Sequence, residues 1–229
     1  MQRAFDILFS GLALLALSPI LIPVMIVLRC TGEGEVFYCQ QRVGRGGAMF
    51  GVWKFATMLK DSPNLGTGTV TLKGDPRVLP FGRFLRKTKI NELPQLLNIL
   101  NGTMSVIGPR PQTRRCFDAF PAASQAAIVG VRPGLSGIGS IVFRDEEELM
   151  HADADPDRLY DETIMPFKGR LEEWYARNRS LGIYFKLIAL TAWVVAVPRL
   201  DIVWRAFPGL PFPDEHLARL LGLSGRSRS

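Results

Sequence analysis

Only two histidines, His151 and His216, occur in the 229 residues. That scarcity argues against a histidine-rich metal centre or a serine–histidine–aspartate triad, and leaves catalysis to carboxylates, basic groups and a hard cation. Cysteine is almost as sparse. Cys30, Cys39 and Cys116 are odd in number and contain no Cys-x-x-Cys pair. They read as free thiols in a reducing compartment rather than as a disulfide framework or a zinc site. No helix-turn-helix, zinc or aromatic RNA-binding signature accompanies the basic charge, which argues against nucleic acid as a partner. Nor does the sequence repeat. Charge is missing altogether from Ile7 to Leu28.

What remains is a basic and apolar chain. Lysine and arginine exceed aspartate and glutamate by 7, hydrophobic residues make up 47%, and the pI is near 9.7 with a mean hydropathy of +0.13. Such a balance points to an anionic membrane surface, a phosphorylated substrate, or both. The length suits one domain with appendages, with enough residues for a substantial core.

The uncharged stretch "ILFSGLALLALSPILIPVMIVL" is long enough to span a bilayer, which needs about 20 apolar residues. No small-residue cleavage site follows it, so it does not read as a signal peptide. Ser18-Pro19 sits at its centre and Pro23 follows one turn later. Proline removes a helix hydrogen bond and predicts a kink there, with the Ser18 hydroxyl bonding back to a freed carbonyl. A kinked span and a re-entrant hairpin both fit. Basic residues at the two ends, Arg3 and Arg29, with Arg42 and Arg45 soon after, favour both ends on the cytoplasmic side and hence the hairpin.

Further along, Val36–Gln40 and Met49–Phe55 read as two strands joined by the turn-rich "RVGRGG". Gly44, Gly46 and Gly47 beside Arg42 and Arg45 suit either a phosphate cradle or a plain hairpin turn. The polar stretch Leu59 to Arg77 reads as a surface loop. "PFGRFLRKTKI" predicts a short amphipathic helix, suited to a membrane surface or to an ordinary solvated face. "NELPQLLNIL" places leucines at helical spacing behind Pro94, with Asn91 as a plausible N-cap. "GPRP" holds Arg110 between two prolines, and "VRPG" holds Arg132 in a similarly stiff loop. The charges of "RDEEEL" read as a solvated helix face. Pro166 to Val197 reads as an amphipathic half followed by an apolar half, in which Lys186 suits an interfacial or core-packed helix. The last residues, "LSGRSRS", read as a basic, disordered tail.

These motifs, in this order, resemble the bacterial sugar transferases, the monotopic phosphoglycosyl transferases. The resemblance runs from "FDILFSGLALLALSPI" through "QQRVGRGGAMFGVWKFATM", "DPRVLPFGRFLRKTKINELPQLLNIL", "MSVIGPRP" and "VRPGLSG" to "YFKLIALTAWVV". It implies an α/β fold: a small membrane-associated core with amphipathic interfacial helices and an N-terminal re-entrant hairpin kinked at Ser18 and Pro19. The implied divisions are a membrane segment at 1–30, a catalytic domain at 31–200 and a C-terminal tail at 201–229. The implied activity is transfer of a sugar-1-phosphate from a UDP-sugar to polyprenyl (undecaprenyl) phosphate at the cytoplasmic face of the inner membrane. That step initiates lipid-linked glycans and requires Mg²⁺. Membrane phospholipids are expected partners, and a homo-oligomer is a further expectation. Arg86, Arg110 and Arg132, with Arg42, are implied phosphate ligands, where guanidinium forks are strongest.

The family's catalytic pair is aspartate–glutamate, the first attacking phosphorus and the second helping to hold Mg²⁺. Here the pair is Asn91 and Glu92. A carboxamide is a poor oxygen nucleophile, so three readings stay open. Catalysis can run through Glu92 or by direct attack of the acceptor phosphate. The amide can be an introduced change that traps substrate. Or the chain is a disabled relative that binds nucleotide sugars or acts as a scaffold. Ala56, "GIGSIVFRDEE" and Glu172 depart from the family pattern as well, the last standing where an aspartate is usual.

Overall fold

The computed structural model describes residues 1–62, 75–151, 156–197 and 199–223. Most of the expected loop Leu59 to Arg77, and all but Leu223 of the expected disordered tail, lie outside the described residues. The chain forms two compact units. One comprises Arg3–Gln41 and Phe50–Gly102; the other comprises Met1–Gln2, Arg42–Met49 and Thr103 onward. Helix and strand are mixed, as expected, with helix dominating.

The first unit is built on α1 (Gln2–Cys30), which stays helical through Pro19 and Pro23. Pro19 has no N–H for the carbonyl of Leu15, and the Ser18 hydroxyl donates to that carbonyl at 2.8 Å, as the sequence led us to expect. At about 1.5 Å per residue the helix is some 43 Å long. It is long and apolar enough to enter a bilayer, and only 17% of its most apolar window is buried by protein. Leu8, Leu12, Leu15 and Ile26 are uncovered. The C-terminal half does have a packed face. Leu21, Val24 and Leu28 join Phe55 and Leu85 in one core cluster, flanked by Phe81, Ile90 and Leu93.

The hairpin β1 (Phe37–Val43) and β2 (Met49–Phe55) follows; β1 runs three residues past its expected end, because Val43 is buried and its N–H bonds to the Gln112 carbonyl. The outer edge of β2 is closed by a side chain. Asn98 accepts from the Trp53 N–H at 2.9 Å and donates to the Gly51 carbonyl at 2.7 Å. Asn98 belongs to α3 (Gln95–Asn101), which is preceded by α2 (Pro80–Lys87). Gly102, at φ 88°, ends α3 in the left-handed conformation that glycine adopts without strain. The Arg3 guanidinium caps the same end, bonding the Ile99 and Leu100 carbonyls, the latter at 2.7 Å. A cation there also complements the negative pole of the helix.

The second unit contains a two-stranded parallel sheet, β3 (Ser105–Ile107) and β4 (Gly134–Ser136), in register Ser105↔Gly134 and Ile107↔Ser136. Parallel strands need a crossover, here α4 (Arg114–Asp118) and α5 (Ala122–Ile128). Then come α6 (Ile138–Val142), α7 (Glu146–His151), α8 (Pro156–Leu159), a π-helical turn at Tyr160–Ile164 and α9 (Met165–Asn178). Ser180 stops the run and caps α10 (Leu181–Ala196), accepting the Ile183 N–H at 3.2 Å. Leu171, Tyr184 and Leu187 are fully buried. Residues 201–220, expected as part of a tail, carry α11 (Asp201–Ala206) and α12 (Glu215–Leu220). They pack by Phe207 on Trp174 at 5.2 Å, and Lys186 donates to the Ala206 carbonyl. Lys186 is exposed rather than core-packed, and this C-terminal segment only holds its ammonium in place.

Candidate active site

The residues singled out in the sequence fall into two sets, one in each unit. In the first unit, Lys89 is the sole non-glycine residue with positive φ among the described residues, at 59°. That twist leads into a 3₁₀ turn at Ile90–Glu92, closed by Glu92 N–H to Lys89 C=O and Leu93 N–H to Ile90 C=O. Asn91 is therefore not the helix cap expected of it. The helix begins at Gln95 behind Pro94, and the Asn91 side-chain oxygen is buried with no hydrogen-bond partner. Turn geometry took the capping position away. Glu92 beside it is less buried, and its carboxylate lies 3.9 Å from the Lys54 ammonium. Lys54 was missed in the sequence; its only signal was a cation on the face of β2 that also carries buried Val52.

Arg86, on α2, reaches the Met58 sulfur at 3.8 Å. Nearby, Asp75 and Arg77 form a buried fork, with Arg77 also donating to the Ser62 carbonyl. The Arg77 hydrogen bonds, aided by the charge of Arg86, hold the Asp75 carboxyl down to about 2.

In the second unit the loops carrying Arg110 and Arg132 run side by side. A Cβ on Gly108 would lie 2.4 Å from the Arg132 carbonyl, so only glycine permits that approach. Gly134 N–H bonds the Pro109 carbonyl at 2.8 Å, and Arg42 donates to the Pro111 carbonyl. Arg42, Arg110 and Arg132 are thus brought into one unit. Arg110 lines a shallow, open cleft with Gly44, Pro109, Pro111, Phe117 and Pro133. The glycine loop is a hairpin turn rather than an amide cradle. The N–H groups of Val43, Gly44, Gly46 and Gly47 are all taken by carbonyls, so none of these four is left to face an anion.

A buried acid completes this set. Glu172, on α9, accepts the Arg110 N–H at 3.3 Å, and burial pushes its carboxyl up to about 7. Sequence reading saw it as one charge of an amphipathic helix and as standing where the family usually has an aspartate, with no signal that it is buried. Also beyond that reading, Glu146, expected to be solvated, pairs with buried Lys168 at 2.9 Å. The three cysteines are free, as expected.

Comparison with known proteins bears on both sets. The undecaprenyl-phosphate glucose phosphotransferase of Komagataeibacter xylinus is 39% identical over 157 residues, covering 63% of this chain and 30% of that protein. Exopolysaccharide production protein ExoY of Sinorhizobium fredii is 36% identical over 159 residues, 63% of this chain and 70% of its own. The UDP-N-acetylgalactosamine-undecaprenyl-phosphate N-acetylgalactosaminephosphotransferase of Aeromonas hydrophila is 35% identical over 184 residues, 80% of this chain and 40% of its own. The chain thus spans less than half the length of the first and third of these relatives. The family described as bacterial sugar transferase matches residues 1–198, both residue sets included, and the chain belongs to that family.

Proposed function

We propose that this chain transfers a sugar-1-phosphate from a UDP-sugar to undecaprenyl phosphate at the cytoplasmic face of the bacterial inner membrane, the first step of a lipid-linked glycan. The observation that carries this is the buried Asn91–Glu92 turn with Lys54 beside the carboxylate, in a chain whose relatives are named for that reaction. In the balanced reaction, a P–O bond forms between the acceptor phosphate and the sugar-bearing phosphorus. The P–O bond to UMP breaks, and UMP leaves with the electron pair. Arg86, Arg110, Arg132 and Arg42 serve to bind the phosphates, where positioning and charge neutralisation do most of the catalysis. Arg3 and Arg29 at the two ends of the apolar α1 support its entering the membrane as a re-entrant segment, which requires the continuous helix to bend at Ser18 and Pro19 so that both ends stay on one face.

Mg²⁺ fits the residues present. Among the described residues no group of three histidine, cysteine or acidic side chains gathers to cage a metal. Magnesium is commonly held by one or two protein oxygens plus substrate phosphates. Glu92 and the unpartnered amide oxygen of Asn91 supply such oxygens. When bound, the ion would neutralise charge on the transferring phosphate.

Asn91 itself does not attack, since its amide oxygen is uncharged. Attack falls to the acceptor phosphate or to Glu92. The same amide favours a second reading, a disabled relative that binds nucleotide sugars as a scaffold. UMP release from UDP-glucose, UDP-galactose and UDP-N-acetylgalactosamine, with undecaprenyl phosphate and Mg²⁺ in detergent, separates the two. Turnover by the wild type that disappears in Glu92→Gln supports transfer. No turnover except in Asn91→Asp supports the disabled reading, and none in either protein overturns both. A sugar-phosphate adduct in intact mass spectra of the wild type would route the reaction through Glu92.

A further inference from the structure

Glu172 is 1% exposed, yet among the described residues no cation is bonded to it. Its Oε1 accepts the Arg110 N–H, the Gly139 N–H also bonds the carboxyl, and Oε2 has no partner. Two chain segments are built around this one side chain. A Cβ on Gly139 would lie 2.5 Å from Oε1, and one on Gly137 would meet the Gly108 carbonyl at 2.2 Å, so the loop before α6 lies close against the neighbouring strand. The start of α6 is therefore shaped to admit the carboxyl. Gly108 and Gly134 hold the neighbouring strands backbone to backbone, so Arg110 leaves the sheet with its own N–H fixed on α9. A bond of this kind sets where the Arg110 side chain starts, not where it ends.

The charges facing Glu172 are few. Arg110 comes from the loop and Lys168 from α9 itself, the latter held by Glu146. Helices α5 and α6 carry no titratable side chain. In the π-helical turn before α9, Asp161 and Glu162 are engaged by Arg115 and Arg158. An anion arriving at Arg110 would meet an ionised Glu172 in a low-dielectric surrounding, where like charges repel strongly. Protonation of the carboxyl removes that repulsion and leaves Oε1 free to accept both N–H groups.

We propose that Glu172 is a positioning residue for the donor diphosphate, acting through Arg110, and that it takes up a proton when the diphosphate binds. This rests on the reading of Arg110 as a ligand of the UDP-sugar phosphates. The linkage follows directly: donor affinity falls as pH rises through the range in which Glu172 ionises, toward about tenfold per pH unit for one proton taken up.

Calorimetric titration with UDP-glucose or UDP-galactose tests this, in magnesium-free detergent buffer from pH 6 to 8. Neither diphosphate diester titrates in that range. The wild-type Kd is expected to rise several-fold between pH 7 and 8. In Glu172→Gln, which keeps an acceptor oxygen without the charge, Kd should stay flat and match the wild type at pH 6. Glu172→Ala, which keeps neither, should bind more weakly at every pH while its circular dichroism matches the wild type. A pH slope retained in Glu172→Gln overturns proton uptake, and an alanine variant that binds like the glutamine variant overturns positioning. Absence of binding of either nucleotide sugar by the wild type, both in this buffer and with Mg²⁺ added, overturns the donor reading itself, and this inference with it.

Discussion

Replacing Asn98 by leucine keeps the branched, four-heavy-atom shape of the side chain and removes both hydrogen bonds to the edge of β2. The Trp53 N–H at 2.9 Å and the Gly51 carbonyl at 2.7 Å then lose their partners. Asn98 is 1% exposed, so its place is not open to water. Each buried backbone group left unpaired costs about 1–3 kcal/mol. Burying the leucine returns about 1–2 kcal/mol, leaving a net loss of about 3 kcal/mol. For a chain of this size that is a fall in melting temperature of about 6–12 °C. Thermal denaturation in detergent, followed by circular dichroism, measures it. Asn98→Asp makes a sharper comparison. It keeps the acceptor for Trp53 but sets a carboxylate oxygen against the Gly51 carbonyl, so it should recover stability only at acidic pH. A leucine variant melting within 1 °C of the wild type would refute the assignment of Asn98 as the closing group of this edge.

Glu172 carries a second prediction. Its carboxyl is raised in the folded chain from 4.5 to about 7. The folded state therefore binds more protons than the unfolded state between those values, and stability falls as pH rises from about 4.5 to 7. The loss attributable to this group is about 3 kcal/mol; Glu172→Gln should show a flatter stability–pH curve there, and an unchanged slope would contradict the burial argument. Asp75 has the opposite sign. With its carboxyl held near 2, its ion pair stabilises above pH 3.8 and fades as pH falls from about 4 to 2. Arg77→Met strands that carboxylate and should cost about 3–5 kcal/mol, largely recovered in the double variant with Asp75→Asn. At Lys89 the left-handed backbone disfavours β-branched side chains most, so Lys89→Gly should melt above Lys89→Val by a margin of about 1 kcal/mol or more.

Elements with a strong period or a punctuating residue could be read from the sequence. Residues 49–55, an apolar run after a turn-rich segment, form β2 as expected; the change from amphipathic to apolar at Leu181 is where α10 begins; the charge-free stretch is one helix. What could not be read depends on partners distant in sequence. Asn91 looks like an N-cap because asparagine is favoured at that position and a proline suited to the first turn follows three residues on. Only the left-handed Lys89 and the turn it imposes move the helix start to Gln95. Glu172 beside Glu173 looks solvated, but Glu173 reaches Ser124 and Arg177, whereas Glu172 is buried against Gly139. No local pattern separates the two. The glycine loop was ambiguous for a similar reason, since its acceptors, Gln112 and Val129, lie far along the chain.

The Arg3 guanidinium on the last carbonyls of α3 bears on how this enzyme family member can be shortened. A version beginning after Cys30, made to dispense with lipid or detergent, would lose more than a greasy leader. It would uncap the helix that follows Asn91 and Glu92. It would also strip Leu21, Val24 and Leu28 from the wall covering Phe55 and Leu85. The N-terminal helix is a structural part of the unit that bears the acid–amide pair, and solubility gained by removing it would come with a misshapen site.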